Sequence, residues 1–158
     1  MYFVTVCAHH RECVFGDIVD GQIALNEYGK IIETELLNTP SIRPEMQLDT
    51  FVIMPNHIHV IVAINTLFDV VGAHGRAPLH RPPKSLGSFV AGFKSICTKH
   101  INQIRRTPAI PVWQRNYYEH VVRNEKSLRE IREYITHNPL KWDLDRNNPK
   151  NIQRRGDS

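Results

Sequence analysis

The chain has 158 residues, of which 41% are hydrophobic and 23% are charged, a composition typical of one folded domain and not of a disordered chain. Its longest uninterrupted apolar run, Val60 to Ile64, is far below the roughly 18 residues of a membrane-spanning helix, so no transmembrane segment is predicted. The N-terminus has no basic region followed by an apolar stretch, and the three cysteines include no CxxC pair. A secretory signal and a disulfide framework are therefore not expected, and the reducing cytoplasm is the predicted location.

The net charge of +4 conceals two oppositely charged halves. Residues 1–71 carry 3 Lys or Arg against 9 Asp or Glu, whereas residues 72–158 carry 17 against 7. A basic half is typical of a protein that binds a polyanion, and nucleic acid is the most common polyanion in the cytoplasm. A solvated basic face without such a partner explains the charge equally well at this point.

The first half of the chain alternates strand and helix signals. Tyr2–Val6 is β-branched and aromatic and predicts a strand. A four-residue apolar period begins at Asn26 and predicts a helix that Pro40 ends. Residues 51–64 are apolar on both faces and are interrupted by a Pro-Asn pair, which predicts either two segments of a central strand or a tight hairpin.

The second half begins with a segment that has no periodicity. Residues 65–84 are rich in Gly, Pro, His and Arg and predict a mobile basic loop. Ser85 predicts the N-cap of a second helix, and residues 112–122 predict a further strand. The Ser-Leu-Arg-Glu stretch at 127–130 has the form of a capping box and predicts a third helix that ends near Asn138.

The resulting order is strand, helix, strand or strand pair, helix, strand, helix. This order predicts an α+β fold. The simplest arrangement is a ferredoxin-like antiparallel sheet with packed helices and an extra C-terminal helix that carries Tyr134.

His57 and His59 form the first candidate site. Side chains alternate along a strand, so these two imidazoles point to one face and Ile58 points to the other. Two imidazoles so placed can share one divalent metal ion. The alternative, which the tripeptide alone favours, is an ordinary pair of half-exposed strand histidines.

Tyr134 and Asn138 form the second candidate site, on the predicted third helix. A spacing of four residues places them on one face, one turn apart. At 100° per residue both border the apolar stripe of this helix, whereas His137 points further from the sheet, which favours Asn138 over His137 as a third metal ligand. Taken singly, Tyr134 also fits a boundary tyrosine and Asn138 a helix stop signal.

Two histidines and an amide oxygen would form a mixed, open metal site that suits Mg²⁺ or Mn²⁺ better than structural zinc. Such an ion can polarise a phosphate oxygen, and a tyrosine beside it can attack phosphorus to form a covalent phosphotyrosine. A competing zinc site at Cys7, His9, His10 and Cys13 lacks the usual paired spacing.

The stretch 113–120 interleaves aromatic, basic and amide side chains. Such a stretch can stack exposed bases and hold phosphates, although an ordinary antiparallel strand with one solvated face explains it equally well. Basic residues of the second helix lie outside its apolar stripe and are candidates for the same role. The residues predicted to bind nucleic acid are Lys94, Lys99, Arg105, Trp113, Arg115, Tyr117, His120 and Arg123.

Together these residues resemble the single-tyrosine HUH transposases of the insertion-sequence type, particularly the REP-associated tyrosine transposases. The matching stretches are FVIMPNHIH at 51–59, WQRNYYEHVVRN at 113–124 and REYITHNPLK at 132–141. The resemblance implies a single domain over residues 1–142. Residues 143–158 match nothing in that family and are expected to form a basic, poorly ordered tail. The ferredoxin-like sheet of the family agrees with the element order.

The resemblance implies metal-dependent cleavage of single-stranded DNA, with a 5′-phosphotyrosine link and a free 3′-OH as products. It places the metal-binding pair at His57 and His59, the nucleophile at Tyr134, and a third ligand at Asn138, where many relatives have Gln. The cofactor would be Mg²⁺ or Mn²⁺, and the expected substrate is an imperfect palindrome that forms a hairpin. The family includes homodimers and monomers, and the sequence does not choose between them.

Two other functions stay open in the sequence. A catalytically silent module on the same fold would bind single-stranded nucleic acid, but it would not require the two histidines, the tyrosine and the asparagine together. A metal-dependent hydrolase would use a water molecule in place of Tyr134.

Overall fold

The computed structural model describes residues 1–65 and 85–153. Apart from Asn65, the loop predicted at 65–84 lies outside the described residues, as does the end of the predicted tail, 154–158. The elements are β1 (Tyr2–Cys7), a 3-10 turn (His9–Arg11), β2 (Gly16–Val19), β3 (Gln22–Leu25), α1 (Glu27–Ile42), β4 (Met46–Met54), β5 (His57–Ile64), α2 (Leu86–Arg105), β6 (Tyr118–Val121), α3 (Glu125–His137), a second 3-10 turn (Pro139–Leu144) and α4 (Pro149–Gln153).

Four strands form one antiparallel sheet in the order β4-β5-β1-β6. With α1 between β1 and β4, and α2 between β5 and β6, the chain follows the β-α-β-β-α-β path of a ferredoxin-like fold. The α+β prediction is therefore confirmed. The apolar stretch at 51–64 is the β4–β5 hairpin, with Pro55 and Asn56 at its turn, and this excludes a single interrupted strand.

The first face of the sheet carries the main apolar core. Alternate residues of β1 and β5, including Val4, Val6, Ile58 and Val60, are buried there beneath α1 and α2. The N-cap of α1 is Asn26, whose side chain accepts hydrogen bonds from two backbone amides of the first turn.

Pro40 does not end α1 as predicted, because the helix continues to Ile42. A proline lacks the N–H group that an interior helix position requires, so it is tolerated best where few bonds depend on it. Here it lies in the last turn, which the Arg43 amide closes by donating to the carbonyl of Thr39 at 2.8 Å.

α2 starts where the sequence predicts. The side chain of its N-cap, Ser85, accepts from the amide of Ser88, and the Ser88 side chain lies 3.2 Å from the Ser85 amide, which completes a capping box. Its buried stripe packs on the first face of the sheet through Leu86, Phe89, Val90, Phe93, Cys97 and Ile101.

The second face of the sheet is covered by α3. Leu128, Ile131 and Ile135 of this helix form a smaller cluster with the sheet residues Phe3 and Ile61. The predicted capping box at 127–130 is not the start of the helix. Asn124 is the N-cap, with its side chain accepting from the Ser127 amide at 2.8 Å, so α3 begins three residues earlier than the capping box implies.

The strand predicted at 112–122 is reduced to β6 and one isolated bridge between Ala8 and Trp113. Between the bridge and β6, the ammonium group of Lys94 donates to the backbone carbonyls of residues 114, 115 and 116 at 2.7–3.2 Å. Those carbonyls are therefore bound to a side chain from α2 rather than to a neighbouring strand.

Two further features complete the fold. The β2–β3 hairpin turns at Asp20 and Gly21, both with positive φ, as a two-residue turn of type I′ requires. After α3 the chain reverses through the 3-10 turn into α4, so residues 143–153 follow a defined path against the domain. Within residues 1–65 and 85–153, no helix has the combination of length and apolarity needed to cross a membrane.

Candidate active site

His57 and His59 project from β5 onto the second face of the sheet, beneath α3. Both rings are almost completely buried, with exposed fractions of 0% and 2%, so they are not half-exposed strand histidines. Their Nε2 atoms lie 3.1 Å apart. Because side chains alternate between the two faces of a strand, these two imidazoles lie on the same face with their Nε2 atoms side by side, as the sequence predicts.

The other ring nitrogen of each histidine is held by a neighbouring side chain. Nδ1 of His57 lies 2.8 Å from the amide oxygen of Asn56, and Nδ1 of His59 lies 2.8 Å from the hydroxyl of Thr5. An amide oxygen only accepts hydrogen bonds, so His57 donates from Nδ1 and its Nε2 carries the free lone pair. Metal-binding histidines are commonly oriented in this way.

Both imidazoles are neutral near pH 7. Burial, together with the positive charges of Arg11 and Arg146, lowers the pKa of His57 to about 3. Burial also lowers the pKa of His59 to about 3, with a further contribution from His57. The neutral form is the one that binds a metal ion.

Tyr134, on the helix α3 that covers this face of the sheet, lies next to the two histidines. Its hydroxyl lies 3.4 Å from Nε2 of His59, and its ring packs edge-on against Phe3, with the ring centroids 6.2 Å apart. The side chain is 42% exposed, so it is open to solvent. Burial raises the pKa of Tyr134, as does the charge of Asp145, whereas a hydrogen bond with Asn138 and the charge of Arg146 lower it.

Asn138, one turn along α3, is buried, and its amide oxygen has no hydrogen-bond partner among the described residues. An orphaned buried oxygen is costly unless something else satisfies it, and a cation is suited to this role. His137 is exposed and its Nδ1 lies 2.9 Å from the carbonyl of Glu133, so its ring is directed elsewhere. This geometry favours Asn138 over His137 as a ligand.

Asp145 is a site residue that the sequence analysis missed. One carboxylate oxygen lies 3.8 Å from Nε2 of His57, and the other accepts from the Asn147 amide at 2.7 Å. Ligand atoms of His57, His59 and Asp145 all lie within 4.8 Å of one another, close enough to hold one metal ion. A signal was present in the Asn-Asn-Pro sequence at 147–149, which predicts a capped helix and so a structured segment.

Asn56 connects the cluster of candidate metal ligands to two other chain segments. Its side-chain NH₂ group donates to the backbone carbonyls of Arg11 and Asn147, at 2.9 and 2.8 Å. These two bonds fix the orientation of the amide, and with it the oxygen that faces His57. The hairpin turn, the first 3-10 turn and the C-terminal segment are thereby held together around the candidate metal ligands.

Three of the residues predicted to contact nucleic acid have structural roles in the described part of the chain. Trp113 is buried against Phe15 and Phe93, so its indole cannot stack on a base. Lys94 binds the three backbone carbonyls described above. Arg105 donates to the Asn102 side chain and to the carbonyl of Ile110, which holds the end of α2.

The other predicted contacts are divided between the two sides of the sheet. Lys99 is exposed on α2, the helix that covers the first face, and Arg115 is exposed in the segment after Trp113. Since His120 pairs with Phe3, it points to the second face, and with Arg123 it lines a hollow at the start of α3. Tyr117 lines a groove beside the histidines.

The alternative zinc site is not supported within the described residues. Cys7, His9, His10 and Cys13 form no group there whose ligand atoms converge, and His57, His59 and Asp145 do.

Comparisons with known proteins concern the family and the fold of this chain. No protein-family model matches the chain. An uncharacterised protein of Haemophilus influenzae is 39% identical over 153 residues, which cover 91% of this chain and 82% of the relative. Among solved structures, the REP-associated tyrosine transposase bound to a REP hairpin superposes with a TM-score of 0.60 at 20% identity, over 89% of this chain and 66% of that chain.

A protein of Deinococcus radiodurans R1 that has been assigned to the transposases superposes with a TM-score of 0.51 at 16% identity, over 85% of this chain and 87% of that one. At such identities the two structures establish the fold. The predicted resemblance to the fold of the tyrosine transposases is therefore confirmed.

Proposed function

We propose that this chain, which belongs to one family with the Haemophilus influenzae protein and has the fold of the tyrosine transposases, is a metal-dependent enzyme that nicks and transfers single-stranded DNA through Tyr134. One observation carries the proposal. The Tyr134 hydroxyl lies 3.4 Å from a buried histidine nitrogen that is itself 3.1 Å from a second one, which brings a nucleophile to a pair of metal ligands.

The described side chains fit a divalent cation. His57 and His59 would supply two nitrogen ligands, and Asp145 and the orphaned amide oxygen of Asn138 would supply oxygen ligands. A mixed nitrogen and oxygen set suits Mn²⁺, and the oxygen ligands also suit Mg²⁺. When bound, the ion would polarise a phosphate oxygen of the DNA.

Tyr134 supplies the covalent step. Its hydroxyl oxygen attacks phosphorus, a new O–P bond forms, and the bond from phosphorus to the 3′ oxygen breaks. The phenolic proton passes to water, which reaches this half-exposed side chain, and the departing 3′ oxygen takes a proton from water. The products are a 5′-phosphotyrosine and a free 3′-OH. Attack by another 3′-OH on this phosphorus forms a new phosphodiester and breaks the bond to the Tyr134 oxygen, which takes up a proton from water as the attacking hydroxyl loses one to water.

A DNA hairpin with single-stranded flanks is the proposed substrate. The basic half of the chain supports a nucleic-acid partner, and one protein of the same fold is a transposase bound to a REP hairpin. All the proposed ligands and the nucleophile come from one chain, so the chemistry does not require a homodimer.

The test incubates the purified protein with a labelled hairpin oligonucleotide and Mn²⁺ or Mg²⁺, followed by a denaturing gel. The expected result is a protein–DNA adduct that needs the metal and is absent from Tyr134→Phe. Tyr28→Phe is the matched control, because it removes the same hydroxyl group from α1 on the opposite face of the sheet.

Two results would contradict the proposal. Cleavage without an adduct that survives in Tyr134→Phe would favour a metal-dependent hydrolase that uses water. Binding to several hairpins without cleavage or adduct would favour a silent nucleic-acid-binding module.

A further inference from the structure

A groove of about 440 Å³ lies beside the histidine pair, outside the cluster of metal ligands. Its floor is the second face of β1, where Thr5 both lines the groove and hydrogen-bonds His59. The segment before β6 forms one wall and the C-terminal segment forms the other. The lining residues are Thr5, Cys7, Arg11, Gln114, Asn116, Tyr117, Tyr118, Arg146 and Asn147.

Two arginines give the groove a positive charge. Arg11 and Arg146 both line it, and neither forms an ion pair with another described residue. The positive charges of both arginines act on His57, since each lowers the pKa of this histidine. An anionic group placed in the groove would also lie close to Thr5, whose hydroxyl is 2.8 Å from Nδ1 of the candidate metal ligand His59.

The position of Arg11 is maintained against a backbone cost. His10 and Arg11 have φ of 53° and 55°, a left-handed conformation that residues other than glycine rarely adopt. The carbonyl of Arg11 is held by the buried amide of Asn56 at 2.9 Å. The same bond network that orients His57 thus fixes the turn that carries Arg11 into the groove.

The opposite wall offers groups that can recognise a base. Gln114 and Asn116 line the groove, and their side-chain amides form no hydrogen bond with any described residue. Their backbone carbonyls are held by Lys94, so the wall is rigid while the amide groups are available. Amides can pair with the edge of a base, and the aromatic ring of Tyr118, half exposed beside them, can stack on it.

We propose that this groove binds one unpaired nucleotide of the DNA next to the cleaved phosphate, with Arg11 and Arg146 on its phosphate group and Gln114 and Asn116 on its base. The inference rests on the proposed function, because it uses single-stranded DNA as the substrate. It adds a site of base preference that is separate from the metal ligands and from Tyr134.

The test measures binding in the Tyr134→Phe background, which keeps the DNA intact. The probe is a hairpin oligonucleotide with randomised single-stranded flanks, from which bound molecules are recovered and sequenced. We expect a base preference at one flanking position, and replacing Gln114 and Asn116 by Ala should reduce that preference by about tenfold. Asn38→Ala, an exposed amide on α1, is the matched control.

The charge part of the proposal is tested on one recovered oligonucleotide. Arg146→Gln should weaken binding to all sequences and lower the slope of log Kd against log salt concentration by about 0.7, as expected for one lost phosphate contact. Lys30→Gln on α1 should leave both quantities unchanged. Thermal unfolding checks that each variant is folded.

The outcomes separate this proposal from the proposed function. An adduct with wild-type protein, together with an unchanged base preference and salt slope in the variants, would refute the groove alone. Absence of the adduct would refute the proposed function, whereas the binding measurements would still decide the groove. Failure to recover any sequence would overturn the groove as well.

Discussion

The two faces of the sheet are built from alternate residues of the same strands, yet they differ in chemistry. On the first face, Ile58 and Val60 of β5 enter a continuous apolar core under α1 and α2. On the second face, His57 and His59 of the same strand meet a smaller apolar cluster under α3. A shift of one residue in register would exchange the two sets. The apolar face thus fixes the position of the polar one.

This arrangement separates stability from chemistry. The first face can bury large side chains fully because two helices cover it, and it supplies most of the apolar burial. The second face leaves room for buried polar groups, each of which needs a partner. Its histidines have partners in Asn56 and Thr5, and their Nε2 atoms face each other. Substitutions on the two faces should therefore have different effects.

Ile58→Ala should have the largest effect on stability. It removes a side chain that is 1% exposed and leaves a cavity under the two helices, which typically costs about 2–5 kcal/mol in the free energy of unfolding. Urea unfolding of the wild type and the variant measures this difference. The fraction that stays folded should retain adduct formation, because the alternate face is unchanged. A loss of less than 1 kcal/mol would show that this face is not the stabilising one.

Mn²⁺ should stabilise the protein through the second face. At about 100 times its Kd, a ligand that binds only the folded state adds about 2.7 kcal/mol, which thermal unfolding detects. Asp145→Asn, which keeps the size of the side chain, should reduce the shift in Tm. His120→Ala, an exposed histidine on the same face, is the control. An equal shift in both variants would place the metal elsewhere.

Asn56→Ala should weaken Mn²⁺ binding by about 10–100-fold, the usual cost of losing a hydrogen bond to a ligating histidine. The variant leaves Nδ1 of His57 without its acceptor at 2.8 Å. Asn56→Asp keeps an acceptor oxygen there and should retain more of the affinity, although it loses the bonds to the carbonyls of Arg11 and Asn147. Calorimetric titration compares the three proteins. Equal affinities would mean that Asn56 has no role in positioning the ring.

The first face and the overall fold could be predicted from the sequence because both follow local rules. Alternation along β5 and the four-residue period of the helices determine which residues are apolar, and element order then leaves few topologies. The same rules predicted the placement of His57 and His59 on one face, and of Tyr134 and Asn138 on one side of a helix. These are relations within one element.

The residues that were missed depend on contacts between distant segments. Asp145 reaches His57 only because the chain reverses after α3, and no local pattern gives the direction of that reversal. Trp113 has the sequence environment of an exposed strand residue, but Phe15 and Phe93 cover it from other elements. Lys94 has the position of an exposed helix cation and instead binds a segment 20 residues further along.

The smallest effect should come from the ion pair that joins α3 to the edge of the sheet. Arg132 Nε donates to a carboxylate oxygen of Asp49 at 2.8 Å, and its Nη2 donates to the other oxygen. Asp49 lies where the register of β4 against β5 skips residues between Leu48 and Phe51. The pairing anchors the helix that carries Tyr134, but both side chains are partly open to solvent, which weakens it.

The hydrogen bond from Arg132 holds the pKa of Asp49 below its usual value. A lowered pKa in the folded state contributes stability above the unfolded pKa, roughly pH 4, and this contribution is lost as the pH falls through the folded value. Asp49→Asn should therefore lower Tm slightly at pH 7, and the difference from the wild type should narrow on acidification. Ser41→Ala, at an exposed position of α1, controls for a general surface effect. A Tm difference that stays constant from neutral to acidic pH would mean that the charge of Asp49 does not contribute to the stability of the contact between α3 and the sheet.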